Sequence, residues 1–448
     1  MVSQTERVPL FFGKNEITST IAKIGRRHGL CADRHLATMP VSKGVPYLSF
    51  AIKTYWEYQM TISSRWSLTV AVVALTAGLA GPAFSAATPE QVTAALTKLL
   101  SEDKGATFTL GAPTQSDAGV VYNNVSIKSS DGGETKVEVL TLANPTVEGD
   151  TLSADSMLAE NISGTNKGDI FAASSLELTS PVFTGKEEGN RMDAVSITGI
   201  SMTQDGKAPV TIDSANLDLS DFAADVPHAI DISVEGIEVD PAAVDADGQL
   251  ATQLKAMGYD KLTLGFYGSG SLDEASGDLA LNEITISGTD LGTITVAGTF
   301  GGLTTDVIKE LKQPNPPQDA LGKVTLKQAS VYYGDASLAG RIIAEQAKQM
   351  GQEPAAFVSQ ITGALPLLLS AVGNQPFQDK LAQGLTTFLK DPKNLTITAK
   401  PANPIALMEI LATSQTAPQT LPDVLKADVV VNQPETEDDE TGEDTDAN

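Results

Sequence analysis

The 448-residue chain is acidic: it holds 30 Lys and Arg against 56 Asp and Glu, for a formal net charge of −26. Nucleic-acid binding and electrostatic docking on anionic lipid both depend on clustered Lys and Arg, so this charge argues against either kind of partner. The only Cys is Cys31, and His228 is the only histidine after residue 35. These counts exclude thiol catalysis, zinc–thiolate sites and multi-histidine metal sites from the body of the protein.

Residues 60–87 have the layout of a secretory signal peptide. Arg65 precedes an apolar run at 68–79, and small residues follow, with cleavage predicted after Ser85 or after Ala87. The apolar run is shorter than the about 20 residues that a membrane-spanning helix needs. The pattern predicts a periplasmic protein whose mature chain has no integral membrane span.

Residues 1–59 are basic and unlike the rest of the chain. We interpret them as a non-native N-terminal extension, with Met60 as the true start. A real basic leader and an uncleaved signal anchor remain alternatives. One Cys and two His in this stretch fall short of the four ligands that a zinc finger requires.

The first domain is predicted to cover 88–312 and to be rich in β-strands. Thr88 and Gln91 form a capping box at the start of an amphipathic helix. From 106 to 300 apolar and polar residues alternate, which predicts 12–15 short, half-buried antiparallel strands. Asp131-Gly132 and Asp205-Gly206 are typical hairpin turns.

Residues 140–149 and 176–185 resemble each other, and each reads as strand, proline turn, strand. A weaker third copy around 216–219 lacks the proline. Either these are repeated units of stacked strands with similar geometry, or they are two similar edge turns in one sheet.

A second, smaller α/β domain is predicted at 318–432. The proline-rich residues 313–317 separate it from the first domain, and a disordered acidic tail follows at 433–448. Within it, Ser337 is predicted to cap a helix, and Pro366 to kink or split one. Further helices are predicted to start at Pro354, Pro376 and Asn403-Pro404.

Four features invite a functional interpretation, and each has a structural alternative that we favour. His228 lacks a recognisable nucleophile motif and is interpreted as a strand histidine. Residues 245–248 begin like a calcium loop but lack the later ligands, although an irregular calcium site elsewhere stays open. Residues 298–302 are a strand-to-helix turn rather than a phosphate loop, and the C-terminal Leu and Phe stripes are core rather than a lipid-binding surface. We therefore predict no catalytic, cofactor-binding or metal-binding residues.

Residues 278–288, followed by 290–298, resemble envelope proteins of Gram-negative bacteria that carry AsmA-like repeats. The resemblance implies many short amphipathic strands in an elongated sheet with one apolar face, and a role in outer-membrane assembly or lipid transfer. The predicted fold is α+β and mainly antiparallel β: an elongated or curved sheet of many short strands, with a smaller helical α/β domain at the C-terminal end.

The leading functional hypothesis is a non-enzymatic periplasmic protein of the cell envelope. It would bind lipid, another apolar ligand or an envelope protein along a concave sheet face. The alternatives are a secreted structural or adhesive protein, and a hydrolase that uses acidic residues. The scarcity of aromatic residues for sugar stacking argues against a glycosidase.

Overall fold

A computed structural model describes residues 87–101, 106–184, 189–204, 207–223, 226–244, 248–311, 313 and 317–434. The predicted N-terminal extension, the predicted signal peptide up to residue 86, the predicted turn at Asp205-Gly206, residues 245–247 and the acidic residues from 435 onward lie outside the described residues.

The first described element is helix α1 (Pro89–Ser101). The predicted capping box forms: the Thr88 N–H donates to Gln91 Oε1 (2.9 Å), and the Gln91 N–H donates to Thr88 Oγ1 (3.4 Å). Val92 and Leu96 are buried, which confirms the amphipathic stripe of this helix.

Fifteen strands follow within the described part of 106–301: β1 (Thr107–Thr109), β2 (Thr114–Ser116), β3 (Gly119–Lys128), β4 (Glu134–Ala143), β5 (Thr146–Glu148), β6 (Thr151–Ser153), β7 (Ser156–Asn166), β8 (Asp169–Thr179), β9 (Val182–Phe183), β10 (Ala194–Thr203), β11 (Val210–Ala223), β12 (Val226–Val239), β13 (Leu262–Asp273), β14 (Asp278–Gly288) and β15 (Gly292–Gly301). Two helices, α2 (Pro241–Val244) and α3 (Gln249–Ala256), lie between β12 and β13.

The C-terminal region is richer in helices: α4 (Thr305–Leu311), α5 (Gln318–Lys323), strand β16 (Thr325–Asp335), α6 (Leu338–Gln349), α7 (Pro354–Leu368) with a 3₁₀ turn at Leu369–Val372, α8 (Gln375–Lys390), β17 (Asn394–Ala399), β18 (Ile405–Ala406), α9 (Leu407–Thr416), a 3₁₀ turn at Pro418–Thr420, α10 (Leu421–Val424) and β19 (Asp428–Val431).

Sixteen of the strands form one sheet in which all neighbours are antiparallel. Its main path is β1-β3-β4-β7-β8-β10-β11-β12-β13-β14-β15-β16-β17-β19, with β2 beside β3 and β18 beside β16. At about 4.8 Å per strand, this path extends roughly 60 Å. The prediction of a mainly antiparallel fold with helices at the C-terminal end is confirmed.

The predicted boundary at 312–318 falls within this continuous sheet. β15 pairs with β16 from Gly292↔Asp335 to Gly301↔Thr325. The two predicted domains are therefore joined by the hydrogen bonds between β15 and β16 within one sheet.

The main strands of the N-terminal half contain 10–14 residues, which is longer than the predicted short strands. Every second strand of the sheet from β3 to β12 contains a residue with positive φ inside it: Asn124, Asn161, Gly199 and Gly236, spaced 37 or 38 residues apart. The alternation of apolar residues changes phase at these positions, so that one strand reads in the sequence as two.

The phase change keeps apolar side chains in one core. Residues on either side of it, such as Tyr122 and Val125 or Ile197 and Ile200, belong to the same hydrophobic cluster. Only Gly, Asn and Asp adopt positive φ readily, which explains the residue types at these positions.

The sequence similarity between 140–149 and 176–185 corresponds to two equivalent turns. Asn144 and Ser180 both have positive φ, and the prolines that follow them are fully buried. The Asp155 N–H donates to the Ala143 carbonyl oxygen, and the Asp193 N–H to that of Thr179, both at 2.9 Å. Of the two interpretations, the structure favours repeated units of similar geometry.

One predicted helix start is confirmed without its predicted cap, since α6 begins directly after Ser337, and another is wrong. The Ser337 hydroxyl does not cap α6 but donates to the Asp290 carbonyl oxygen (2.6 Å). The last long helix, α9, begins at Leu407 rather than at Asn403-Pro404, because Ile405 first pairs with Leu326 in the sheet. Pro366 lies within α7, which continues to Leu368.

Candidate ligand-binding face

One face of the large sheet carries two continuous rows of apolar residues. Residues directly opposite each other on neighbouring antiparallel strands point to the same face. The strand register therefore aligns a first row through Leu142, Met157, Leu178, Val195, Leu217, Ile232, Gly268, Ile284, Val296, Val331, Ile397 and Val429. A second row runs through Leu140, Ala159, Leu176, Ile197, Ala215, Val234, Phe266, Ile286, Ile294, Tyr333, Leu395 and Val431. We call these two rows the apolar face.

At the N-terminal end the apolar face is covered by α1 and by a small three-stranded sheet, β5-β6-β9. Val92 of α1 and Leu152 of β6 belong to one buried cluster with Leu142. The Tyr122 hydroxyl is hydrogen-bonded to Thr93 Oγ1 at 2.9 Å, which ties α1 to β3. This end is an ordinary hydrophobic core.

At the C-terminal end the apolar face is covered by α8. The Phe388 ring meets Tyr333 edge-on, with centroids 5.8 Å apart. Gly384 lies so close to β19 that a Cβ there would be 3.1 Å from a Val431 methyl and 3.2 Å from a Val429 methyl. Glycine at this position thus allows the close approach of α8 to the sheet.

Between these covers the apolar face is open to solvent. Five β-branched side chains on this side of the sheet are 38–54% exposed: Ile232, Ile286, Ile294 and Val331 from the two rows, and Ile230, two residues before Ile232 on β12. We call this the open stretch; it extends from β12 to β16, about 20 Å across four strand spacings. An exposed apolar patch of a few hundred Å² is comparable to the largest on typical monomeric proteins, where such patches are often functional.

The opposite face of the same strands is polar and largely bonded to itself. The Ser196 hydroxyl donates to Asn216 Oδ1 (2.7 Å), and Asn216 Nδ2 donates to Ser233 Oγ (3.1 Å). Thr285 and Thr295 pair at 2.8 Å. An apolar ligand would therefore contact the open stretch and not this face.

His228 lies on β12 at one side of an acidic cleft of ≈ 800 Å³. Its Nε2 is 4.0 Å from Glu274 Oε2, and the Thr305 hydroxyl donates to the other oxygen of Glu274 (2.7 Å). In a hydrolase triad the nucleophilic hydroxyl is hydrogen-bonded to the histidine. Here the hydroxyl is hydrogen-bonded to the carboxylate, so the three side chains are not arranged as a hydrolase triad.

The structure describes no contact between His228 and either of the two carboxylates that are close to it in sequence. Asp225 lies outside the described residues, and Asp231 accepts a hydrogen bond from the Tyr267 hydroxyl (3.2 Å). Among the residues that the structure describes, no three His, Cys, Asp or Glu side chains are grouped to hold a metal ion.

The predicted strand-to-helix turn at 298–302 lies further along the chain: 298–301 are the end of β15, and 302–304 connect it to α4. Gly302 has φ +82°, and a Cβ there would lie 2.1 Å from the Lys323 carbonyl oxygen. The glycine is thus required by the backbone. Of the stretch that resembles a calcium loop, only Gly248 is described; it precedes α3 in a left-handed conformation.

The sequence did not reveal the open stretch as a site, because every strand of the sheet carries the same alternation. What distinguishes the open stretch is that few helices and strands pack on it. Which part of the sheet those elements cover depends on tertiary packing and not on the sequence of the strands. Comparison with curated proteins gives no match to this chain. A family model described only as an uncharacterized protein matches residues 285–432, a segment that runs from within β14, across the β14–β16 part of the open stretch, to the C-terminal cover.

Proposed function

We propose that this protein is a non-enzymatic, exported component of the cell envelope that binds a lipid acyl chain on the open stretch of its apolar face. The observation that carries the proposal is the pair of apolar rows that continues, in register, out of a covered core and into solvent. The resemblance of 278–298 to AsmA-like envelope proteins is consistent with this role.

The chemistry of the open stretch favours an uncharged, extended ligand. Its side chains are aliphatic, and the aromatic ring of Phe266 lies in the same row. Burying aliphatic surface yields about 25 cal/mol per Å² without any directional requirement. A long acyl chain meets this condition because it offers aliphatic surface along its whole length.

The packing of Ala87 bears on the proposed export. The Ala87 side chain is buried in the N-terminal core, and its N–H donates to the Pro145 carbonyl oxygen (2.8 Å). Cleavage after Ala87 would remove these contacts, whereas cleavage after Ser85 would keep them. We therefore expect Ala86 as the first residue of the mature protein, to be checked by N-terminal sequencing of protein from the periplasmic fraction.

Binding can be tested by titrating the purified protein with a fluorescent fatty acid, dansylaminoundecanoic acid. Ile286→Asp should weaken binding about tenfold or more, because it places a charge in the middle of the open stretch. Ile170→Asp is the matched control: Ile170 is 53% exposed, against 54% for Ile286, but it lies on β8 outside the two rows.

Equal affinities in the wild type and both variants would contradict the proposal, as would the absence of any saturable binding. Recovery of the protein from the cytosolic fraction with residues 60–85 attached would contradict the proposed export.

A further inference from the structure

Helix α7 differs in composition from the helices on either side of it. Residues Pro354–Val372, which comprise α7 and the 3₁₀ turn after it, contain no charged side chain. Within the described part of the chain, this is the one helix that is long and apolar enough to cross a membrane, and 11% of it is buried. A helix with apolar residues on most of its sides cannot hide them all against a sheet or a single neighbour.

The buried side of α7 faces the protein. Phe357, Val358 and Leu365 are buried, and α7 packs against α6 and α8. The helix is thus held along one side, and spanning a bilayer would require these contacts to break. Its far end is different: Leu367 is 78% exposed and Leu368 is 64% exposed, and Pro366 beside them is also exposed. We call these three residues the α7 tip.

The turn that follows the α7 tip is fixed. Gly373 has positive φ, and Asn374 Oδ1 accepts a hydrogen bond from the Phe377 N–H (3.1 Å) at the start of α8. Asn374 Nδ2 donates to the Gln419 carbonyl oxygen (3.1 Å) and to Asp423 Oδ2 (2.8 Å). These bonds hold the turn to the α10 region, so the two leucines are presented to solvent by a constrained hairpin.

The size and charge of the α7 tip argue for a bilayer and against a protein partner. Three side chains expose on the order of 300 Å² together, well below the about 800 Å² per partner of a stable protein interface. No charged residue occurs between Glu353 and Asp379, so the tip offers no ion pair for orienting a partner. Hydrocarbon needs neither a large complementary surface nor a charge.

We propose that the α7 tip inserts into the outer part of a lipid bilayer and anchors the protein peripherally to a membrane. The insertion depth is that of interfacial elements, about 5–10 Å. Because the chain is acidic, attachment would depend on apolar contact and not on anionic headgroups, and it should persist in high salt. This attachment is separate from ligand binding on the open stretch, and each can fail without the other.

The test uses tryptophan fluorescence in the mature chain that begins at Ala86, which contains no Trp because Trp56 and Trp66 precede it. Leu367→Trp places the only indole at the α7 tip, and Ile170→Trp places it at an exposed position on the sheet, 53% exposed against 78% for Leu367. With phosphatidylcholine vesicles that carry brominated acyl chains, we expect a blue shift and quenching for Leu367→Trp and no change for Ile170→Trp. The result should be the same at 0.1 and 1 M NaCl.

A second variant tests binding itself. Leu367→Asp combined with Leu368→Asp should reduce cosedimentation with the vesicles about tenfold or more, since two leucines no longer transfer to hydrocarbon. Circular dichroism serves as the check on folding, and both positions are exposed enough to tolerate the change.

Three outcomes would overturn the proposal. One is an unshifted, unquenched Leu367→Trp with vesicles. Another is cosedimentation that the double aspartate variant leaves intact, which would assign attachment to another segment. The third is a blue shift without vesicles that grows with protein concentration, which would mean that the α7 tip meets a second copy of the chain.

Discussion

The covered N-terminal end and the open middle of the apolar face are built from the same kind of strand. Their side chains are buried in the first region and exposed in the second. Ile200 is 7% exposed and lies in the N-terminal core, whereas Ile286 is 54% exposed on the open stretch. Both lie in strands of 10–11 residues within the same sheet. The difference shows that alternation and pairing form the sheet, while burial is decided by what packs on it.

The two regions should therefore contribute differently to stability and to binding. Side chains at the covered end are removed from solvent on folding. Each fully buried aliphatic residue there stabilises the protein by about 1.5–3 kcal/mol. Side chains of the open stretch keep much of their exposed surface in the free protein. Their remaining apolar surface is available to a ligand.

The largest expected effect is a difference in the free energy of unfolding between two variants, each of which truncates one isoleucine in one of the two regions. Ile200→Ala should lower the free energy of unfolding by about 3 kcal/mol, because it leaves a cavity in a packed core. Ile286→Ala should lower it by less than about 1 kcal/mol, since little buried volume is lost. Urea denaturation of both variants measures the contrast. Equal losses would mean that the middle of the face is covered in solution.

A smaller effect is expected at the phase change that borders the open stretch. Gly236 has φ +64°, and a Cβ there would lie 2.0 Å from Asp213 Oδ2. Gly236→Ala should cost about 2 kcal/mol or more, from backbone strain together with displacement of that carboxylate. Gly149→Ala has a similar φ but nothing within 4 Å, so about 1 kcal/mol is expected from strain alone. Thermal unfolding of the pair separates the two causes, and indistinguishable melting temperatures would refute the close contact.

The smallest effect concerns the hydrogen bond that secures the N-terminal cover. Tyr122→Phe removes the bond to Thr93 and should cost about 1 kcal/mol at neutral pH. Tyr267→Phe, at an exposed tyrosine on β13, should change stability by no more than a few tenths of a kcal/mol.

Burial raises the pKa of Tyr122, which predicts a pH dependence for the same variant. A raised folded-state pKa stabilises the protein fully below the unfolded value of about 10. That contribution is lost as pH rises through the folded pKa. The stability difference between wild type and Tyr122→Phe should therefore shrink above pH 10 in denaturation series, and a difference that grows there would contradict the assignment.

The sequence predicted local structure where the local signal agreed with the fold. The capping box at Thr88 and Gln91 and the strand alternation are examples. Where a tertiary contact competed, local signals misled: Ser337 bonds to the Asp290 carbonyl oxygen instead of capping its helix, and Ile405 joins the sheet before α9 begins.

The residues with positive φ inside the strands had a periodic pattern in the sequence, but that pattern was not recognised as part of the strands. Asn161, Gly199 and Gly236 recur every 37 or 38 residues, but single Asn and Gly residues within strands read as strand ends. The open stretch had no local signal at all. Ile200 and Ile286 occur in similar patterns, and their environments differ because α1 and the small sheet β5-β6-β9 cover the N-terminal end while no described element covers Ile286 to the same extent.

Photo-crosslinking can show whether an acyl chain binds on the open stretch. The purified protein is irradiated with a diazirine-bearing long-chain fatty acid, and the modified residues are mapped by mass spectrometry. We expect adducts concentrated on β12, β14, β15 and β16, and we expect excess unlabelled fatty acid to remove them. Adducts that are confined to the cleft beside His228, or that competitor does not reduce, would contradict binding on the open stretch.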